Sequence, residues 1–131
     1  MIVIDSSVWI GRLRGASGPV AKKFEELEEN ETDQILVGDL VLLEVLQGAR
    51  SDAHAAFIEE RLRLFQVEPM LDAGLAPTVA WNYRYLRARG VTIRKTADLI
   101  IATFCMARGH FLLHDDRDFD AVALHLPLIV I

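Results

Sequence analysis

The chain opens on a stretch that narrows its fold more than any other. Ile2-Val3-Ile4 is wholly apolar and is cut off by Asp5, Ser6 and Ser7, after which Val8, Trp9 and Ile10 resume the apolar character. A short continuous apolar run stopped by helix-start residues is the pattern of a parallel strand buried on both faces. Ser6 or Ser7 is expected to cap a helix beginning near Val8. Asp5 then stands at the carboxyl end of a central strand, where open α/β sheets place their ligands. Asp5 alone fits an ordinary turn or cap equally well.

The same alternation continues downstream. Gly15 to Pro19 breaks the chain, and a helix runs from there to about Asn30 with Val20, Phe24 and Leu27 on one face. Residues 34–37 read as a second strand. Gly38-Asp39 opens a helix that closes at Gly48. Ser51 or Asp52 caps another, whose apolar face is expected to hold Phe57, Leu62 and either Leu64 or Phe65. A weak strand follows at 65–67. A helix over about 72–89 has Leu75, Val79, Tyr83 and Leu86 at helical spacing. Thr96 is expected to cap a helix closed by Gly109. A strand at 110–113, a short helix at 120–124 and a closing strand at 128–131 complete the chain. With no repeat or linker, residues 1–131 are expected to form one domain. Short apolar strands alternating with helices predict a three-layer α/β/α fold around a central, mainly parallel sheet.

Composition bounds the function. Hydrophobic residues make up 52% of the 131 and charged residues 25%, enough for a packed core. No apolar run approaches the roughly 18 residues of a membrane span, and the apolar start meets Asp5 too soon for a signal peptide. One cysteine, Cys105, allows no internal disulfide. A soluble cytoplasmic protein is expected. The net charge of −5 opposes whole-surface binding of nucleic acid. It leaves room for local binding, because no acid lies between Asp72 and Asp98 while Arg84, Arg87, Arg89, Arg94 and Lys95 do. That basic run fits either a solvated helix face or a phosphate-contacting patch.

Further acids in three places sit oddly in their surroundings. Glu44 interrupts the run Leu40 to Leu46, and a charge there is costly to bury unless it is paired or metal-bound. It could also face solvent beside Gln47. Asp98 lies in a helix first turn, where an acid suits the dipole, yet its own face continues as Ile101, Ala102 and Cys105. Asp115 and Asp116 follow the fourth strand directly, with Asp118 two residues on, repeating the placement of Asp5. Carboxylates brought together repel and raise one another's pKa. A divalent cation relieves that, and an oxygen-only ligand set suits Mg²⁺ or Mn²⁺. Such ions activate water and steady charge in phosphodiester hydrolysis. No competing set is evident: the four histidines lack metal-ligand spacing, there is no P-loop, and Cys105, Trp9, Trp81, Tyr83 and Tyr85 read as packing residues.

Four segments in this order resemble a PIN-domain protein, and in particular a VapC-type toxin ribonuclease. They are Ile2-Val3-Ile4-Asp5-Ser6-Ser7-Val8-Trp9, Leu43-Glu44-Val45-Leu46-Gln47-Gly48, Ala97-Asp98-Leu99-Ile100-Ile101-Ala102, and Leu112-Leu113-His114-Asp115-Asp116-Arg117-Asp118-Phe119. The resemblance implies a sheet with the first strand central and Asp5, Glu44, Asp98 and Asp116 converging on one pocket. Asp5, Asp98 and Asp116 would hold Mg²⁺, and Glu44 would orient or deprotonate the attacking water. Asp118 would be an outer member, with Ser6 in support. His114 stands where the pattern usually has Ser or Thr, and Asp115 is an additional candidate beside Asp116. The implied activity is a Mg²⁺-dependent endoribonuclease, a toxin restrained by a VapB-like antitoxin and assembled as a homodimer. Arg84, Arg87, Arg94 and Lys95 are the candidates for holding the RNA backbone.

Other classes fit less well. A receiver-like phospho-switch needs an accepting Asp after a middle strand and a late Lys, but no Lys follows Lys95. A haloacid-type phosphatase needs a second Asp where Ser7 and Val8 stand. A non-catalytic binding module with structural acids remains, and metal-dependent thermal stabilisation separates it from the enzyme.

Overall fold

Four short strands make a single parallel sheet in the order β3-β2-β1-β4. The computed structural model describes residues 1–131. The strands are β1 (Ile2–Ile4), β2 (Ile35–Gly38), β3 (Gln66–Glu68) and β4 (Phe111–Leu113), and the helices are α1 (Ser6–Leu13), α2 (Pro19–Asn30), α3 (Asp39–Gln47), α4 (Asp52–Leu62), α5 (Ala76–Ala88), α6 (Thr96–Arg108) and α7 (Arg117–His125). The three strands β1, β2 and β4 are apolar because helices cover both faces. Val3, Ile4, Leu36, Val37 and Leu112 have essentially no exposure.

The chain steps outward from β1 to β2 to β3, then returns past β1 to β4. Parallel crossovers are right-handed. The outward steps therefore lay α1 to α4 on one face, and the return lays α5 and α6 on the other. Packing agrees: α1 meets α2 and α3, α3 meets α4, and α6 meets both α5 and α7. The expected three-layer fold is the one observed. The reversal also leaves a crevice at the carboxyl ends of β1 and β4, the switch point at which such sheets bind ligands. Register brings Ile4 level with Leu113, and the Asp5 amide donates to the Leu113 carbonyl at 2.9 Å.

Several boundaries differ from the sequence reading. Asp5, rather than Ser6 or Ser7, caps α1, so the helix starts at Ser6. Lys95, with no side-chain cap bond, precedes α6, and Thr96 is its first residue. The Asp72 carboxylate accepts from the Leu75 amide at 2.7 Å and makes a turn there, delaying α5 to Ala76. The expected closing strand is reduced to one bridge between Leu112 and Val130. On α4 the inward residues are Ile58 and Leu62, while Phe57 and Leu64 are 53% and 78% exposed. Trp9 does pack, edge-on to Phe24 and Phe65. Trp81 does not: it is half exposed and stacks on Tyr85.

Candidate active site

Each acid reaches the crevice from a different element. Asp5 ends β1 and is buried. Its Oδ2 accepts from the Ser7 amide at 3.1 Å and from the Ser7 hydroxyl at 2.5 Å. Oδ1 is buried with no partner. Glu44 lies on α3, half-buried, and its Oε1 accepts from the Ser6 hydroxyl at 3.2 Å. It is therefore not the solvent-facing neighbour of Gln47 that its mixed helix face allowed. Asp98, in the first turn of α6, is 5% exposed, and its Oδ2 is also buried without a partner. Asp116 caps α7, its Oδ1 accepting from the Asp118 amide at 2.9 Å.

These acids form two triads. One carboxylate oxygen from each of Asp5, Glu44 and Asp98 lies within 4.8 Å of the other two, and the same holds for Asp98, Asp116 and Asp118. Asp98 is common to both. Asp115 is in neither triad; it is exposed, and its amide donates to the Ser7 hydroxyl at 3.0 Å. The β4 turn thus turns Asp116 toward Asp98 and leaves Asp115 outside.

The clustering shows in the acidities. Burial, and then Asp5, Asp116 and Glu44, push the Asp98 carboxyl up to about 7, against a smaller opposing pull from Lys95. Burial raises Asp5, partly offset by its bonds from Ser7. Burial and Asp5 raise Glu44, with Ser6 and Lys95 opposing. Like charges held this close at the edge of a core are unfavourable without a counter-charge. Two buried oxygens lacking any donor, in a set made only of carboxylates, fit a hard divalent cation. Cys105 is fully buried and its thiol is pushed up to about 12, which removes it as a nucleophile.

The basic residues lie along α5 and the segment leading into α6. Arg84 and Arg94 line a groove between α5 and the start of α6, together with Tyr83, Thr96 and Leu99. Lys95 is exposed and near enough to act on Glu44 and Asp98. Arg87 lies over the Tyr83 ring at 5.5 Å. Two contributors were not evident in the sequence. The Ser7 hydroxyl joins the ends of β1 and β4, and Asp120 Oδ1 lies 3.2 Å from His114 Nε2. The spacing of Asp5 and Ser7, with an acid two residues before a hydroxyl at a helix start, was the available signal for Ser7.

With this geometry in hand, the chain can be set beside known proteins. The PIN domain family matches residues 2–124. Ribonuclease VapC11 of Mycobacterium tuberculosis strain H37Rv is 31% identical over 126 residues, covering 94% of this chain and 92% of that protein. In VapBC2 from Rickettsia felis, solved on a DNA fragment from its promoter, a chain superposes with a TM-score of 0.77 at 18% identity, covering 100% of this chain and 98% of that one. Mycobacterium tuberculosis VapC20, a toxin that cleaves the sarcin-ricin loop, gives 0.66 at 19% identity with 98% of each chain covered. The chain belongs to the PIN-domain family, among its VapC ribonucleases.

Proposed function

We propose that this protein is a Mg²⁺-dependent endoribonuclease and the toxin of a VapBC-type pair. The observation that carries the reading is the pair of buried, unpartnered oxygens, Asp5 Oδ1 and Asp98 Oδ2, within two acid triads that share Asp98. Asp5, Asp98 and Asp116 would hold the cation, with Asp118 beside them. When bound, a divalent cation lowers the pKa of water and offsets charge that builds on a phosphodiester.

The remaining work falls to the chain's own groups. Ser6 occupies Glu44 Oε1, which leaves Oε2 to orient a water and accept its proton. The water oxygen bonds to phosphorus, and the bond from phosphorus to the leaving ribose oxygen breaks, that oxygen keeping the electron pair and taking a proton from solvent. Ser7 fixes Asp5 and at the same time tethers the β4 turn through the Asp115 amide. Arg84, Arg87, Arg94 and Lys95 are assigned to the RNA backbone. The proposed partner is a VapB-like antitoxin, which would act in the cytoplasm on a toxin homodimer; adding it should abolish cleavage.

The test is RNA cleavage by the purified protein with Mg²⁺ or Mn²⁺, with EDTA, and with Asp5→Asn and Asp98→Asn. Loss of cleavage in EDTA, and a fall of more than about 100-fold in both variants with circular dichroism unchanged, is expected. Cleavage that persists in both variants would place the chemistry elsewhere.

A further inference from the structure

His114, at the crevice, turns both ring nitrogens toward the α7 region of the protein. Its side chain is 8% exposed. Nδ1 accepts from the Asp116 amide at 3.1 Å, and Nε2 lies 3.2 Å from Asp120 Oδ1. With Nδ1 accepting, Nε2 is left to face the Asp120 carboxylate as a close polar contact. The ring also rests on Phe119, at 5.2 Å between centroids, and Phe119 has no exposure. The imidazole therefore grips the start of α7 at three successive places: the Asp116 backbone, the Phe119 ring and the Asp120 carboxylate.

Asp116 lies between this grip and the acid cluster. Its peptide is held by His114, and its Oδ1 is committed to the Asp118 amide. Oδ2 accepts no hydrogen bond from the chain and is free for a ligand. An amide without an acceptor at this turn would find one by rotating the peptide or by taking up water, and either moves the carboxylate relative to Asp98.

We propose that His114 is a positioning residue that sets the Asp116 peptide and the first turn of α7, so that Asp116 and Asp118 stay within reach of a cation held by Asp98. The inference rests on the cation site proposed above. It gives Asp120 a role as well: being 64% exposed at its side chain, Asp120 is not a ligand but the outer anchor of the ring.

The experiment measures Mn²⁺ affinity of the purified full-length protein by electron paramagnetic resonance of the free ion, with folding checked by circular dichroism. His114→Ala should weaken binding by about tenfold. His114→Asn should stay within about threefold of the parent, because its Oδ1 can accept from the amide two residues on, as in an Asx turn. Asp120→Ala should weaken binding by about threefold in the parent and by nothing further in His114→Ala, since the anchor acts only through the ring. Parent-like affinity in His114→Ala would overturn the proposal. So would a fall in His114→Asn as large as in His114→Ala, which would assign the ring to packing on Phe119 alone. If His114→Ala does not fold, the Asn variant and Asp120→Ala decide by the same limits. A parent that binds no Mn²⁺ would overturn the cation site and this proposal together, whereas a parent that binds beside an unaffected His114→Ala would overturn only the second.

Discussion

Asp98 shows what the site costs the protein when no cation is bound. An unfolded aspartate gives up its proton near 3.8, and this one holds it to about 7. Between those values the folded state binds more protons than the unfolded state, so stability falls as pH rises through that window. Asp5 and Glu44 are raised too and act with the same sign. Well below pH 3.8 all three are protonated in both states and the penalty disappears. In calorimetry without metal, Tm should therefore decline between pH 4.5 and 7.5, more steeply than in Asp98→Asn, which should melt several degrees higher at pH 7.5 while being inactive. A variant that melts lower than the parent at that pH would refute the repulsion argument. Asp5 and Asp98 were legible in the sequence because a lone acid in an apolar setting stands out. The tether from the Ser7 hydroxyl to the β4 turn and the contact of Asp120 with His114 were not, because those partners are 108 and six residues away and are brought together only by the sheet and by the β4 turn.

Among the elements, β2 and α3 are joined at a glycine whose absence of a side chain is required. A Cβ at Gly38 would lie 2.1 Å from the Met70 sulfur, and Met70 is buried. The Asp39 carboxylate accepts from the Met70 amide at 3.0 Å and keeps that segment where it is. Gly38→Ala should thus destabilise by about 1–3 kcal/mol, the usual cost of overpacking. It should also reduce cleavage, since α3 carries Glu44 from this junction. Melting of the single variant and of Gly38→Ala with Met70→Ala checks it: the double variant should lose less than the two singles summed, and strict additivity would count against the contact. Periodicity located nearly every helix, because one buried face leaves a pattern. It placed the starts of α3 and α4 but misplaced those of α1, α5 and α7, since caps are set by single hydrogen bonds, as at Asp5, Asp72 and Asp116. It also read Phe57 as core, since an apolar residue on a helix does not say whether that flank is covered.

At the scale of the molecule, an acidic crevice and a groove carrying Arg84 and Arg94 occur together in a chain of net charge −5. Arg84 and Arg94 come from different elements and line the same groove. Arg84→Glu combined with Arg94→Glu should weaken RNA binding at low salt and reduce the slope of log affinity against log salt by roughly two, read by fluorescence anisotropy. An unchanged slope would remove this groove from the RNA path.

By itself the sequence indicated the α/β class, the order of the elements and the oddly placed acids Asp5, Glu44, Asp98 and the Asp115-Asp116 pair, since burial, helical period and misplaced charge are local properties of the chain. Tertiary structure alone decided that Asp116 and not Asp115 joins Asp98, that Glu44 meets Ser6, and that Asp98 belongs to two triads at once. Those relations depend on strand register and on the reversal of strand order between β1 and β4. Both are outcomes of packing the whole sheet, which no segment specifies alone.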